Sequence, residues 1–472
     1  MRYWKHTFVT VLLLCITVAS AAAQTSEWQP ATLVYESGLV NDPNLLADEN
    51  GVLHLVWSGT LHTDLEGTPH SLIYAQFTED GWSTPNDVVV MEVDVRVPIA
   101  AVDSQGIMHV VWGGQGINYS QVASWEAGSA ANWSKPIKIG TGGLVNSPIG
   151  LEVGPDDTLH VVVAFADEGE AYYIQSPDAG RTWQAPKRIS SSPQETAADV
   201  ADLALAADGT LHAVWSRVEF PTGYPPVGVY YTSSTDNGLT WSIEQPLAGL
   251  DYGEPSLAID SENGIHIAYN GRVGIGGKYH RYSSDGGITW KAATALSNAG
   301  EDGLNSSAEL VADAEGNVYF IAGGDNNVYL SAWRNGGWGD VLNLRDTIIG
   351  TLAETERTSL KLLNGNQLHA VFENGKQQFW HTWRTLEVRP VTPNGYEVVD
   401  LAEEAIADLS VEELPEIATE PFLAEPLVFP DTAPTTLADP NDSLIGAILG
   451  AASVLGLAIV VQLMRQRMSL FR

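Results

Sequence analysis

The sequence predicts an all-β fold: a seven-bladed β-propeller closed by its own N-terminal strand, followed by a disordered acidic stalk and one C-terminal transmembrane helix. Three observations predict it. A strand–turn–strand unit recurs seven times, at ADENGVLHLVW (47–57), VDSQGIMHVVW (102–112), GPDDTLHVVV (154–163), LAADGTLHAVW (205–215), IDSENGIHIAY (259–269), ADAEGNVYFIA (312–322) and LLNGNQLHAVF (362–372). Its period of roughly 50–55 residues is that of propeller blades. A tryptophan then follows the third strand-like run of the first six units, at Trp82, Trp133, Trp183, Trp241, Trp290 and Trp338. Finally, three segments spell nearly the same eight residues between strand-like runs: SPDAGRTW (176–183), STDNGLTW (234–241) and SSDGGITW (283–290).

Taken along the chain, the first element is a targeting segment. A basic start at Arg2 and Lys5, an apolar run from Phe8 to Val18 and Ala21-Ala22-Ala23 before Gln24 have the three-part form of a secretory signal peptide, residues 1–23. The one cysteine, Cys15, lies inside that run, so the mature chain is expected to carry no disulfide.

Residues 24–390 are the propeller. Each unit reads as strand, Asp/Gly turn, strand, and an aromatic third strand follows, as in SLIYAQF, AYYIQS or VYYTSS. The seventh unit ends without its tryptophan. Glu27-Trp28-Gln29-Pro30-Ala31 matches Gly81-Trp82-Ser83-Thr84-Pro85, so the N-terminal strand is expected to complete the last blade and remove two exposed sheet edges.

The eight-residue segments have a physical reading of their own. The Asp heads a turn and accepts hydrogen bonds from it, Gly supplies φ > 0, and Thr-Trp opens the next strand with an apolar anchor. This assigns a structural role to Asp178, Gly180 and Trp183, to Asp236, Gly238 and Trp241, and to Asp285, Gly287 and Trp290. The pattern S-x-D-x-G-x-T-W is the Asp-box, and through it the chain resembles the sialidase-like (BNR repeat) β-propellers.

Past the propeller, residues 391–443 are rich in Pro, Glu, Ala and Thr, and between Glu387 and Asp442 only Arg389 is basic. Such a segment repels itself and stays extended. Leu444 to Leu463 is uncharged and long enough to span a bilayer, and Arg465, Arg467 and Arg472 follow it. The positive-inside rule then places residues 464–472 in the cytoplasm and the propeller outside the cell. The net charge is −35, so nucleic acid is excluded as a partner by the field alone.

Function in propellers sits where inner strands begin and second strands end. On the sequence that face collects Arg96, Arg217, Arg272 and Arg357 with Glu219, Glu254, Glu373, Asp199, Tyr224 and Tyr252. Sialidases clamp a carboxylate with three arginines and use a Tyr–Glu nucleophile and an acid/base Asp, and Arg96-Val97-Pro98 resembles their F/Y-R-I-P motif, with Val95 in place of the aromatic residue. The resemblance therefore implies an exo-α-sialidase as one reading. The other, placed first, is a membrane-anchored recognition module for a glycan or protein ligand. The six repeat-position histidines His54, His109, His160, His212, His266 and His369 are arranged around a ring, too far apart to share an ion, and are expected to bond a neighbouring blade's backbone. No metal and no cofactor is expected, since signatures such as H-E-x-x-H and the P-loop are absent.

Overall fold

The computed structural model describes residues 27–390 apart from 37–39, 62–70, 92–94, 141–142, 146, 166–167, 224, 251, 272–276, 298–307, 325–326, 345–356 and 375–377. The segments assigned above to 1–23, 391–443, 444–463 and 464–472, and the candidates Arg272 and Tyr224, lie outside the described residues. The chain divides into two units, residues 1–400 and 401–472, and the described residues belong to the first. No helix among them is long and apolar enough to cross a membrane.

Seven antiparallel sheets make up the fold. Blade 1 starts with the strands Val40–Ala47, Leu53–Gly59 and Ser71–Thr78, blade 2 with Arg96–Val102, Ile107–Gln115 and Asn118–Ala123, and blade 3 with Gly150–Val153, Leu159–Phe165 and Glu170–Ser176. Blade 4 starts with Thr196–Leu205, Leu211–Glu219 and Pro226–Ser234, and blade 5 with Gly253–Ile259, Ile265–Asn270 and Lys278–Ser283. Blade 6 starts with Ala308–Ala312, Val318–Gly324 and Asn327–Arg334, and blade 7 with Thr358–Leu363, Gln367–Glu373 and Gln378–Thr385. The innermost strands touch in the order of the blades, and that of blade 7 returns to that of blade 1, so the ring is closed.

Closure uses the N-terminal strand. Thr32–Glu36 pairs antiparallel with Gln378–Thr385 as the outer strand of blade 7. Trp28 packs into the core between blades 6 and 7, and Gln29 N–H donates to Trp383 C=O at 2.8 Å.

Two of the tryptophans open an outer strand segment as the sequence implied: Trp82 in Gly81–Trp82 and Trp338 in Gly337–Trp338, each paired with the third strand of its blade. The other five stand ahead of their strands: Trp28 before Thr32, Trp133 before Ile137, Trp183 before Lys187, Trp241 before Gln245 and Trp290 before Thr294. The ring thereby stays free to lie across the seam and pack on the preceding blade. Trp183 meets Tyr119, Trp241 meets Tyr173 and Trp290 meets Tyr231 edge-on, at centroid distances of 5.0, 5.2 and 5.1 Å.

The hydrophobic cores lie between blades, so each sheet is covered on both faces. Second strands such as Leu53–Gly59 and Leu159–Phe165 are accordingly buried at every position, and they read as continuous apolar runs.

Candidate functional site

The inner strands enclose a channel with a cavity of about 440 Å³. At its mouth they begin with a kink. Asp42, Val97, Val200 and Glu254 have positive φ (51°, 43°, 40° and 50°), and the sheet register slips at each of them. Pro43, Pro98 and Pro255 follow three of these residues and lack the N–H that the ladder would need. A β-branched residue at φ > 0 is an outlier that costs on the order of 1–3 kcal/mol, and Val97 and Val200 are both of that kind. The kinks turn the preceding side chains onto the rim.

Two of the described arginines of this face are each committed to a carboxylate of the protein itself. Arg217, at the end of blade 4's second strand, is 3% exposed. Its Nη2 donates to both carboxylate oxygens of Glu244 at 3.0 and 2.9 Å, and its guanidinium lies 3.9 Å from the centre of the Tyr230 ring. Arg357 is held by blade 1, its Nε 3.1 Å from Asp42 Oδ1 and its Nη1 donating to Asn41 Oδ1. Arg96 opens blade 2's inner strand opposite Gly113. Glu219 is exposed at the end of its strand, and Glu373 N–H donates to Arg357 C=O at 2.9 Å. Tyr252 stands edge-on to Tyr269 and Tyr279, with centroids 5.8 and 5.6 Å away. The structure thus ties Arg217 and Arg357 to different internal acids in different blades.

A Tyr–Glu contact exists elsewhere. Tyr172 Oη donates to Glu168 Oε2 at 2.5 Å on blade 3. That hydrogen bond, with some burial and the carboxylate's charge, pushes the phenol up to about 12, the opposite of what a nucleophile at neutral pH requires.

Between blades 3, 4 and 5 the rim holds a buried polar network that the sequence reading only half assembled. Ser147 Oγ donates to Asp199 Oδ1, Ser216 Oγ accepts the Glu254 N–H at 2.7 Å, Asn270 Nδ2 donates to Glu254 Oε2, and Lys278 Nζ donates to Asn270 Oδ1. Burial drives Asp199 and Glu254 above the usual carboxylate range and Lys278 below the usual ammonium range. Asn270 and Lys278 escaped notice because nothing in IHIAYN or KYHRYSS marks a polar side chain as buried.

Below the rim, inner-strand side chains stitch four of the blades to the next one. Asn44 accepts the Ala100 N–H at 2.9 Å, Asp202 the Leu257 N–H at 2.8 Å, Glu309 the Leu360 N–H at 2.9 Å and Ser359 the Leu45 N–H at 3.0 Å. All four occupy the same register level, opposite Val56, Val214, Ile321 and Val371. Blade 3 has Gly150 there; a Cβ on it would lie 2.5 Å from Leu203 N, and that N–H is met by Asp202 Oδ1 instead.

The repeat-position histidines bond within their own blades, which corrects the expectation of a neighbouring blade's backbone. His54, His109, His160 and His212 each place Nδ1 2.7 Å from a third-strand tyrosine hydroxyl: Tyr74, Tyr119, Tyr173 and Tyr231. His266 and His369 meet His280 and His381 at 3.0 Å instead. Nε2 of His109 and of His266 lies 3.1 Å from the hairpin Asp103 or Asp260. No group of three or more His, Cys, Asp or Glu side chains among the described residues is placed to hold a metal ion.

In the Asp-boxes the carboxylate closes its own turn. Asp178, Asp236 and Asp285 accept the N–H of Thr182, Thr240 and Thr289 at 2.7–2.8 Å, and Ser176, Ser234 and Ser283 accept the glycine N–H at 2.8–2.9 Å.

A family model described as "BNR repeat-like domain" matches residues 51–398. The chain belongs to the BNR repeat-like family. A search of curated proteins finds no match. Among solved structures, the BP39L lectin from Burkholderia pseudomallei is similar, with a TM-score of 0.57 and 12% identity over 75% of this chain and 97% of the lectin. An ulvan lyase of polysaccharide lyase family PL25 gives 0.53 and 13% identity over 77% of this chain and 96% of the lyase. The intramolecular trans-sialidase from Ruminococcus gnavus gives 0.44 and 10% identity, over 78% and 99% of the two chains. At such identities the likeness concerns the fold.

Proposed function

We propose that this BNR propeller is a glycan-recognition module that binds over the rim where its inner strands begin. The observation that carries this reading is the commitment of Arg217. An arginine that is 3% exposed, bidentate to Glu244 and stacked on Tyr230 holds the rim in shape and does not reach a ligand carboxylate. Beside the Glu254 kink the half-buried Tyr252 packs against Tyr269 and Tyr279 and keeps part of its surface exposed, a pairing of aromatic and polar groups suited to a sugar. A lectin and a polysaccharide lyase on similar scaffolds support a carbohydrate ligand. With the signal segment 1–23 and the apolar run 444–463, this reading displays the propeller outside the cell on a membrane anchor.

Binding of the purified full-length protein to an immobilised panel of glycans tests it, alongside release of methylumbelliferone from a fluorogenic sialoside. Glycan capture that Tyr252→Ala abolishes, without hydrolysis, is the expected result. Hydrolysis of the sialoside would replace this reading with the exo-α-sialidase one. External protease cleaving the propeller from intact cells would support the display, and protection of the propeller would refute it.

A further inference from the structure

The channel below the rim carries charge that the rim reading does not use. Glu152, Asp202, Glu309 and Lys361 line its cavity, so three carboxyl groups share it with one ammonium. Asp202 and Glu309 accept backbone N–H groups of the following blade, whereas the Glu152 carboxylate accepts no hydrogen bond among the described residues. Glu152 lines the cavity and keeps some exposed surface there, with the Lys361 charge acting on it through space and no hydrogen-bond partner among the described residues. Burial and the Asp202 charge push Glu152 up to about 8, against the opposing pull of Lys361, and burial likewise takes Glu309 to about 8 and Asp202 to about 7. With three carboxyl groups and one ammonium in its lining, the cavity is short of positive charge once those groups ionise.

We infer that the channel binds a ligand bearing a primary ammonium group, with Glu152 as its direct partner and Asp202 and Glu309 supplying the surrounding field. An ammonium brings both the missing charge and up to three N–H donors for a carboxylate that has none. A chelated divalent ion fits less well, because the described side chains offer no group of three or more metal-ligating residues. The net charge of −35 enriches cations around the molecule and repels anionic ligands. A cavity of about 440 Å³ accommodates a short linear diamine. This inference stands apart from the rim reading and survives its failure.

The test is titration calorimetry of the full-length protein with 1,4-diaminobutane, against 1,4-butanediol as an uncharged molecule of the same length. The diamine is expected to bind and the diol not. Because binding selects the ionised carboxylates while the amine remains protonated, affinity should rise at least tenfold from pH 6 to pH 8.5, with proton release into the buffer. Glu152→Gln should weaken binding at least tenfold at an unchanged melting temperature. Lys361→Met, which removes the internal competitor, should tighten it and provides the check if Glu152→Gln fails to fold. Equal binding of the diol, absence of diamine binding at every pH, wild-type affinity in Glu152→Gln, or unchanged or weaker affinity in Lys361→Met would each overturn the inference.

Discussion

The hydroxyl of Tyr119 fills the space where a side chain at Gly180 would begin: a Cβ built on Gly180 would lie 1.8 Å from Tyr119 Oη. The relation repeats with Tyr173 against Gly238 and Tyr231 against Gly287, where the closest approach is 2.3 Å. The Asp-box glycine therefore serves two demands at once, a positive φ (82° at Gly180) and room for the preceding blade's tyrosine. Gly180→Ala should cost about 2–4 kcal/mol, the sum of a left-handed alanine and an overpacked contact. Chemical denaturation measures it, and Gly209→Ala, where nothing lies within 4 Å and φ is 85°, isolates the backbone part.

Arg217→Ala should lower stability by about 3 kcal/mol, because it leaves Glu244 without its partner in a desolvated site and strips the cation from Tyr230. Arg217→Lys should recover only part, since an ammonium cannot reproduce the planar stacking. The melting temperatures of the two variants decide the matter; an unchanged value for Arg217→Ala would mean that the side chain is held in reserve for a ligand.

Loss of residues 27–36 should abolish cooperative melting. The truncation removes Trp28 from its core and leaves Gln378–Thr385 as an unpaired edge. A truncated protein that melts at the parent temperature would show that closure contributes little.

Buried histidines and buried carboxyl groups give stability opposite pH dependences. Burial holds His160 and His212 down to about 4 and His369 to about 3, against about 6.5 in an unfolded chain. Below pH about 6.5 the unfolded histidines take up protons that the folded ones refuse, so the histidine contribution declines as pH falls from there toward 4. Glu152, Glu309 and Asp202 are raised to about 7–8, so their contribution is complete below the unfolded carboxylate range and is lost as pH rises through 7–8. Glu309→Gln, which keeps an acceptor for the Leu360 N–H, should lessen the loss of melting temperature as pH rises from about 4.5 to 8, and thermal melts across that range measure it.

Much of the fold was legible because a propeller repeats its solution. Seven similar hairpins, a displaced tryptophan and three Asp-boxes each report one blade, and Trp28 reported the closure. The rim was less legible, since which acid meets which arginine depends on blades distant in sequence: Arg357 and Asp42 lie at opposite ends of the ring's chain yet meet at 3.1 Å. The channel carboxylates went unread for another reason. Glu152, Asp202 and Glu309 sit among apolar neighbours, in Leu151-Glu152-Val153, Ala201-Asp202-Leu203 and Ala308-Glu309-Leu310, where simple alternation assigns them to solvent. The strands are innermost, so the solvent they meet is a confined channel. The histidines misled in a milder way, because their partners are tyrosines or histidines on the next strand of the same hairpin.

The pairing of Thr32–Glu36 with Gln378–Thr385 also sets an order of events in synthesis. The hydrogen bond from Thr32 Oγ1 to His381 C=O joins residues 349 apart, so this strand, made ahead of the blades, must wait unpaired until nearly the whole ring has followed it. Blades 1 to 6 can form hairpin by hairpin as they emerge, whereas the seventh cannot exist before its last strand is made. Long-range closure is slow, and meanwhile the waiting strand is exposed to other chains. The terminus that completes the circle is for that interval its most vulnerable part, and a newly made molecule becomes a finished propeller in one final step.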